Sequence, residues 1–391
     1  MNIAFFCIPA HGHTNPTLAV VRELTARGHT VRYYTTEAFR AKVEAAGAVF
    51  VPFDAEAARP GMTAADGARL GSDLAFSTKL IVDLTLAADD WLSRELTAHR
   101  PDVIVGDSMA FWAKLAAKKH GIPFVSSTTT FAFNRFSAKV IGQNGAGFLQ
   151  FLLAQPRINR QLKRLRAAGY AVKSVFDIIA NDNETETVVY TSPDFQPCAD
   201  TFSEKYHFVG PLLRPAQSSF EKLPGRSLIY ISLGTVNNDA LPFYRACLAA
   251  FGGDPRFQLV LSAGTQADLA AFGPIPENCT VRASVDQMAV LDCADVFLTH
   301  CGMNSASEGL WHGLPLVLYP QTPEQHGVAN RVAALGAGVL LTDPSADGIR
   351  RAVEAALTDP AYRENAQKLA GGFRRCGGAA EAADAIEHAA N

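Results

Sequence analysis

The sequence predicts an α/β fold built as two parallel-sheet lobes in series. Three observations predict it. Short apolar runs alternate with stretches of helical spacing, which is the pattern of parallel strands joined by right-handed crossovers. A segment carrying Pro211, Pro215, Pro224 and Gly225 among polar residues interrupts that alternation, which then starts again. The 391 residues suffice for two or three domains at roughly 100–200 residues each.

The elements follow in order. Asn2–Ile8 is an apolar run of the buried-strand type. In Thr17–Ala26, Leu18, Val21 and Leu24 can share one helical face, and Gly28 is a stop. Thr14 or Asn15 can cap that helix, with Pro16 at its first position. His29–Thr35 reads as a strand, Ala38–Ala46 as a helix ended by Gly47, and Ala48–Phe53 as a strand. Asp102–Gly106 and Pro123–Ser127 are further strands around the helical stretch Ala110–His120. This first lobe covers 1–209, and 210–227 is the linker. In the second lobe, 228–391, strand-like runs at Ser227–Ser232, Gln258–Ser262, Thr280–Ala283, Val296–Thr299 and Pro315–Tyr319 alternate with helical stretches. Those stretches include Pro242–Phe251, Asn304–His312 and Ala329–Leu335. The Ala- and Glu-rich tail Gly378–Ala390 is a terminal helix expected to pack back on the first lobe. No repeat of the 20–50-residue kind is present.

Composition excludes several classes. With 48% hydrophobic and 19% charged residues the chain is ordinary globular material, which argues against wholesale disorder. Lys+Arg number 35 against 38 Asp+Glu, a net charge of −3, so bulk charge supports neither a nucleic-acid nor a membrane-surface partner. No apolar run approaches the roughly 18 residues of a membrane span. The apolar start lacks a basic region and is cut short at His11-Gly12-His13, against a secretory signal. Seven cysteines, an odd number with no C-x-x-C, favour neither a disulfide framework nor a zinc knuckle. The expectation is a protein of the reducing cytoplasm.

Two such lobes are expected to face each other across a cleft lined by the carboxyl ends of their strands, the usual ligand position in open α/β sheets. The first strand exits into Pro9-Ala10-His11-Gly12-His13-Thr14-Asn15-Pro16. A neutral imidazole, with an ordinary pKa of about 6.5, is suited to removing a proton near neutral pH. His13 is the first candidate base and His11 the second; the alternatives are a loop-capping histidine or a metal pair, for which no third ligand is nearby. Asp107, at another strand end, can accept a hydrogen bond from the imidazole and stabilise its cation. It can equally be an N-cap for the helix near Ala110.

In the second lobe, 297–305 reads as strand, tight turn and helix start. Gly302 permits close backbone approach, and the helix N-terminus can receive an anion. Glu308 lies one turn beyond Asn304, on the same face, and suits the hydroxyls of a ribose. The alternative is a buried, hydrogen-bonded His300 and a solvated Glu308. Ser232, Gly234 and Thr235, at another strand exit, can reach the same diphosphate. Neither G-x-x-x-x-G-K-[ST] nor G-x-G-x-x-G occurs, which weakens kinase and dehydrogenase readings, and D-x-D is absent. Phe124, Phe131, Phe133, Phe136, Phe148 and Phe151 crowd one stretch after a strand, where aromatics suit a flat or apolar ligand. Phe131 and Phe136 are the acceptor-pocket candidates; the alternative is ordinary core.

Together these residues resemble the family-1 nucleotide-sugar glycosyltransferases of the GT-B fold, along nearly the whole chain and nearest to the bacterial macrolide and natural-product type. The resemblance implies that His13 is the general base and Asp107 its dyad partner. It assigns His300, Gly302, Asn304 and Ser305 to the diphosphate and Glu308 to the ribose. Glu324 and Gln325, in Pro320-Gln321-Thr322-Pro323-Glu324-Gln325, would bind the transferred sugar, and the Ser232–Thr235 loop would contact phosphate. Where the family has an aromatic-Val-Pro-Gln segment, this chain has Ser284-Val285-Asp286-Gln287. The stacking ring is absent, while Val285 beside uracil and Gln287 beside the ribose remain implied. The activity implied is inverting transfer from a UDP-sugar, UDP-glucose foremost, to a hydroxyl of a hydrophobic phenolic, macrolide or terpenoid acceptor. No separate cofactor and no metal are expected. A nucleotide-sugar epimerase or hydrolase, and a non-catalytic nucleotide-sugar binder, are the rival readings.

Overall fold

Asn2–Phe6 forms β1, and its side chains divide between two cores. Ile3 and Phe5 join Val20, Val21, Leu24 and Val105, whereas Ala4 and Phe6 join Tyr34, Leu92, Ile104 and Trp112. A strand buried on both faces has to be apolar throughout, and the opening run of the sequence is. The computed structural model describes residues 1–53, 73–137, 147–179, 181, 183–234 and 240–391, the side chains of 147–153 excepted.

The chain divides into two units. Unit 1 comprises Met1–Tyr190, Cys198–Leu212 and Gly377–Asn391; unit 2 comprises Thr191–Pro197 and Leu213–Cys376. Unit 1 continues with α1 (His11–Ala26), β2 (Thr30–Thr35), α2 (Arg40–Ala45), β3 (Val49–Pro52) and α3 (Leu74–His99). Then come β4 (Val103–Asp107), α4 (Phe111–His120), β5 (Phe124–Thr128), α5 (Gly147–Ala167), α6 (Phe176–Ile179), β6 (Glu186–Val189) and β7 (Tyr206–Phe208). The described strands form one parallel sheet in the order β3-β2-β1-β4-β5-β6-β7.

Unit 2 runs β8 (Ser227–Ser232), α7 (Leu241–Phe251), β9 (Phe257–Ser262), β10 (Cys279–Arg282), α8 (Gln287–Leu291), β11 (Val296–Thr299), α9 (Met303–Trp311) and β12 (Leu316–Leu318). It continues with α10 (Pro323–Ala334), β13 (Gly338–Leu340), α11 (Ala346–Thr358) and α12 (Pro360–Arg374). Its parallel sheet has the order β10-β9-β8-β11-β12-β13. Arg331 anchors the short 191–197 segment there, donating from Nε to the Phe195 carbonyl (2.8 Å) and from Nη2 to that of Asp194 (2.9 Å).

The last helix, α13 (Gly378–Ala390), belongs to unit 1. Ala382, Ala383, Ala385 and Ile386 are buried in the same core as Phe5 and Val20. At its rim Arg27 donates to Asp384 (2.6 Å) and Glu387 (3.0 Å), and His29 Nε2 lies 2.7 Å from Glu387.

Two local expectations are corrected. Helix α1 starts at His11, not near Thr17, and its N-cap Ala10 makes no side-chain cap. Pro16 therefore sits inside the helix, and the bond forgone is only the one it would give to Gly12, in the first turn. Helix α10 starts at Pro323, six residues before the expected Ala329, because Thr322 and Gln325 form a capping box with proline at the first turn. The linker is also built into unit 2. Asp286 accepts from the N–H groups of Gln217 (2.6 Å) and Ser218 (2.9 Å), and from Arg214 Nη1 (3.1 Å).

Candidate active site

Both sheets reverse strand order once, between β1 and β4 in unit 1 and between β8 and β11 in unit 2. Carboxyl ends of strands at such a reversal leave a crevice, because successive crossovers depart to opposite sides. The sequence-predicted groups of each unit cluster at its reversal.

In unit 1, His13 lies in the first turn of α1, just past β1, and Asp107 is the last residue of β4. His13 Nδ1 is 2.7 Å from Asp107 Oδ2. The carboxylate is fully buried, and the imidazole is 18% exposed. The second carboxylate oxygen, Oδ1, accepts from the Met109 N–H at 2.9 Å. Asp107 does not cap α4, whose N-cap Ala110 has no side-chain partner. An ionised carboxylate at that distance requires a proton on Nδ1, which leaves the Nε2 lone pair to accept another. His11 faces elsewhere: its Nδ1 is 3.4 Å from Lys42 Nζ, and burial followed by Lys42 pushes its pKa down.

Gly106 precedes the carboxylate for a steric reason. A Cβ there would lie 2.7 Å from the Phe124 ring. Phe131 is buried, and Phe136 is exposed with the Arg135 guanidinium over its ring. Met109 and Phe133 are exposed beside these elements. Phe148 and Phe151 lie outside the described side chains, and Thr235 outside the described residues.

In unit 2, His300 follows β11 directly. Its ring is clamped between two glycines: a Cβ on Gly234 or on Gly302 would lie 2.6 Å from its Nε2. Gly234 also has φ +79°, open to glycine at little cost. Gly302 has an ordinary φ of −59°, so clearance for the imidazole, not an unusual backbone, selects glycine there. Left-handed backbone falls instead on Cys301, at φ 64°. Burial pushes the His300 pKa down to about 4, against a smaller opposing effect of the Ser232 backbone. Its Nδ1 is buried with no hydrogen-bond partner among the described residues. Asn304 and Ser305 lie in the first turn of α9, behind the N-cap Gly302. Ser232 Oγ accepts from the Gly234 N–H at 3.3 Å.

Gln287 and Glu308 are brought together: Gln287 Nε2 donates to Glu308 Oε2. Tyr230 on β8 donates to Gln287 Oε1 at 3.0 Å. Burial pushes the Glu308 pKa up, opposed by Gln287 and Arg214. Val285, two residues before Gln287 in the chain, is half-buried. Gln325 spends its Oε1 on the N–H groups of Gln321 (2.8 Å) and Thr322 (3.2 Å), and Glu324 is exposed in the first turn of α10.

Sequence reasoning missed Thr129, whose Oγ1 is 3.0 Å from His13 Nδ1, and Tyr230. A hydroxyl one residue past a strand that neighbours Asp107 was the available signal for Thr129. Tyr230 reads as an ordinary core strand residue and gave none.

Two doubly wound parallel sheets in series, each with its polar groups gathered where the strand order reverses, make this a GT-B fold. Solved structures agree. The glycosyltransferase of kitacinnamycin aligns with a TM-score of 0.84 and 31% identity over 99% of this chain and 98% of that one. The calicheamicin glycosyltransferase CalG4 gives 0.83 and 29% over the same shares. Residues 257–385 match the erythromycin biosynthesis protein CIII-like C-terminal domain. NDP-glycosyltransferase YjiC of Bacillus licheniformis is 33% identical over 99% of this chain and 97% of its own. Demethyllactenocin mycarosyltransferase of Streptomyces fradiae is 34% identical over 99% and 86%. The chain belongs to the family-1 natural-product glycosyltransferases and is a glycosyltransferase.

Proposed function

We propose that this glycosyltransferase moves a sugar, glucose foremost, from a UDP-sugar to a hydroxyl of a hydrophobic small molecule, with inversion at the anomeric carbon. The observation that carries this reading is the 2.7 Å contact between His13 Nδ1 and the buried Asp107 carboxylate. His13 Nε2 takes the acceptor hydroxyl proton while the oxygen attacks the anomeric carbon and the bond to the diphosphate breaks. Asp107 stabilises the imidazolium. One displacement converts an α-linked donor to a β-glycoside.

Unit 2 supplies the nucleotide side. The N–H groups opening α9 and the His300 ring receive the diphosphate, and Asn304, Ser305, Ser232, Gly234 and Thr235 complete that reception. Glu308 and Gln287 bind the ribose, Val285 the base, and Glu324 and Gln325 the sugar. These donors meet the phosphate charge directly, so the reaction is proposed to be metal-independent. No cofactor beyond the donor substrate is part of the reading.

The acceptor class draws support from relatives named for macrolide chemistry, such as oleandomycin glycosyltransferase of Streptomyces antibioticus. Exposed Met109, Phe133 and Phe136 in unit 1 suit an apolar aglycone. The uncharacterized UDP-glucosyltransferase YojK of Bacillus subtilis, 30% identical, bears a name consistent with the proposed donor. A cytoplasmic setting is proposed from the seven free cysteines. No described helix is long and apolar enough to cross a membrane.

The test is to incubate the full chain with UDP-glucose, with and without a phenolic acceptor, and to follow UDP and glycoside. Acceptor-dependent UDP release with a β-glycoside is expected. Turnover without acceptor, or UDP-glucose binding without glycoside formation, would overturn the proposed donor and acceptor chemistry.

A further inference from the structure

His13 has a second neighbour that a dyad alone does not need. Thr129 Oγ1 lies 3.0 Å from His13 Nδ1, the same atom that sits 2.7 Å from Asp107 Oδ2. Thr129 is the first residue past β5 and is 3% exposed. β5 pairs in register with β4, Asp107 facing Ser127, so adjacent strand ends deliver two oxygens to one nitrogen.

The proton inventory fixes the roles. The carboxylate requires a hydrogen on Nδ1, so the Thr129 oxygen also stands on the accepting side of that hydrogen. An imidazole held by one hydrogen bond can pivot about the line of that bond. A second acceptor off the line removes the freedom and adds partial negative charge beside the ring.

We propose that Thr129 is a positioning residue for the base: its hydroxyl shares the His13 Nδ1–H with Asp107, holds the ring plane, and keeps the Nε2 lone pair directed at the acceptor. The inference rests on the functional reading of His13 given above. Among the described residues, Cys7, just past β1, and Tyr190, just past β6, are ionisable groups that interact electrostatically with Asp107, and buried Tyr33 on β2 lies against both. All three are buried, and burial keeps them neutral. His11, two residues back along α1, has its Nδ1 3.4 Å from Lys42 Nζ on α2.

The experiment compares Thr129→Val and Thr129→Ser in the full chain. Val keeps the shape and removes the hydroxyl; Ser keeps the hydroxyl. Expected for Val is a fall in kcat of about tenfold, the size of one hydrogen bond to a charged group. The Michaelis constant for the UDP-sugar stays within about twofold. The acid limb of kcat/KM moves down by about half a pH unit, since the imidazolium has lost an acceptor. Ser restores the rate and the profile. An unchanged rate and profile in Val overturns the proposal, as does a rise in the donor Michaelis constant alone, which would make the hydroxyl a sugar contact.

Nitrogen-15 NMR of His13 gives a readout independent of turnover. The wild type, the Ser variant and a Thr129→Ala variant are all expected to keep the Nδ1–H tautomer that Asp107 dictates. In Thr129→Ala the Nδ1–H resonance shifts and the ring order parameter falls relative to the wild type and the Ser variant; an unchanged shift and order parameter in Ala overturns the proposal. If the wild type transfers no sugar, the functional reading falls, and the NMR comparison still decides whether Thr129 holds the ring.

Discussion

Two histidines stand at the strand-order reversals of the two units, and the protein treats them in opposite ways. His13 meets a buried carboxylate at 2.7 Å. His300 is buried without a carboxylate, its Nδ1 unpartnered among the described residues, and its pKa is pushed down to about 4. A carboxylate partner prepares an imidazole to become a cation. Burial without one keeps it neutral at any ordinary pH, able to donate or accept a hydrogen bond but not to hold a proton. The carboxylates follow the same division: Asp107 faces an imidazole, whereas Glu308 faces the Gln287 amide and is pushed up by burial. Under the proposed reading, proton transfer belongs to unit 1, and unit 2 offers a buried imidazole and a helix end to the nucleotide.

Mutation can break that contrast, and the largest effect should come from unit 1. His13→Ala should lower kcat by about 10³- to 10⁴-fold, with UDP affinity by calorimetry within about twofold of wild type. Weakened UDP binding with normal turnover would falsify the assignment of the proton to His13. Asp107→Asn should cost about 10²- to 10³-fold in kcat, because an amide no longer dictates the tautomer.

Unit 2 should respond through the donor. In Gly302→Ala the new Cβ meets the His300 Nε2, so the ring must move. The Michaelis constant for the UDP-sugar should rise roughly ten- to a hundredfold while acceptor affinity holds. Equal effects on donor and acceptor would erase the distinction between the units.

A pH series sharpens the contrast further. The folded His300 pKa lies below its ordinary 6.5, so its contribution to stability is complete above that value. It is lost as pH falls from 6.5 towards 4, by about 3 kcal/mol in total. His300→Gln should therefore flatten the acid-side decline in melting temperature; parallel curves would remove the argument. The smallest effect is expected from chelation. EDTA should change the rate by less than about twofold if, as proposed, the helix end and the His300 ring receive the phosphates.

Much of this was legible in the residues. The meeting of His13 and Asp107 was legible because one lies in the first turn after the opening apolar run and the other ends a later run, and parallel sheets gather such positions. Lengths of helices were less legible. Pro16 looks like a first-turn proline, yet α1 begins five residues earlier, since packing of Leu18, Val20, Val21 and Leu24 outweighs one lost bond. Leu74–His99 is not among the elements expected from sequence, although Ala75, Thr78, Val82, Thr85, Ala88, Leu92 and Leu96 are buried at helical spacing; threonine and alanine along much of that stripe weaken its apolar signal. Thr129 and Tyr230 were not legible as site residues. Their contacts with His13 and Gln287 depend on strand neighbours distant in sequence; Thr129 offered only a hydroxyl just past a strand, inside a Thr-Thr-Thr run, and a tyrosine in a core strand offers no signature.

The placement of α13 decides how this polypeptide can be dissected. Four of its side chains complete the interior around Phe5 and Val20, and Arg27 and His29, near the start of the chain, fasten its outer edge. A gene truncated after residue 212 would therefore encode a half with an open seam, whatever its sequence continuity suggests. Restoring that half should require residues 377–391 in trans, as a peptide, or a circularly permuted chain that brings the last helix in front of Met1.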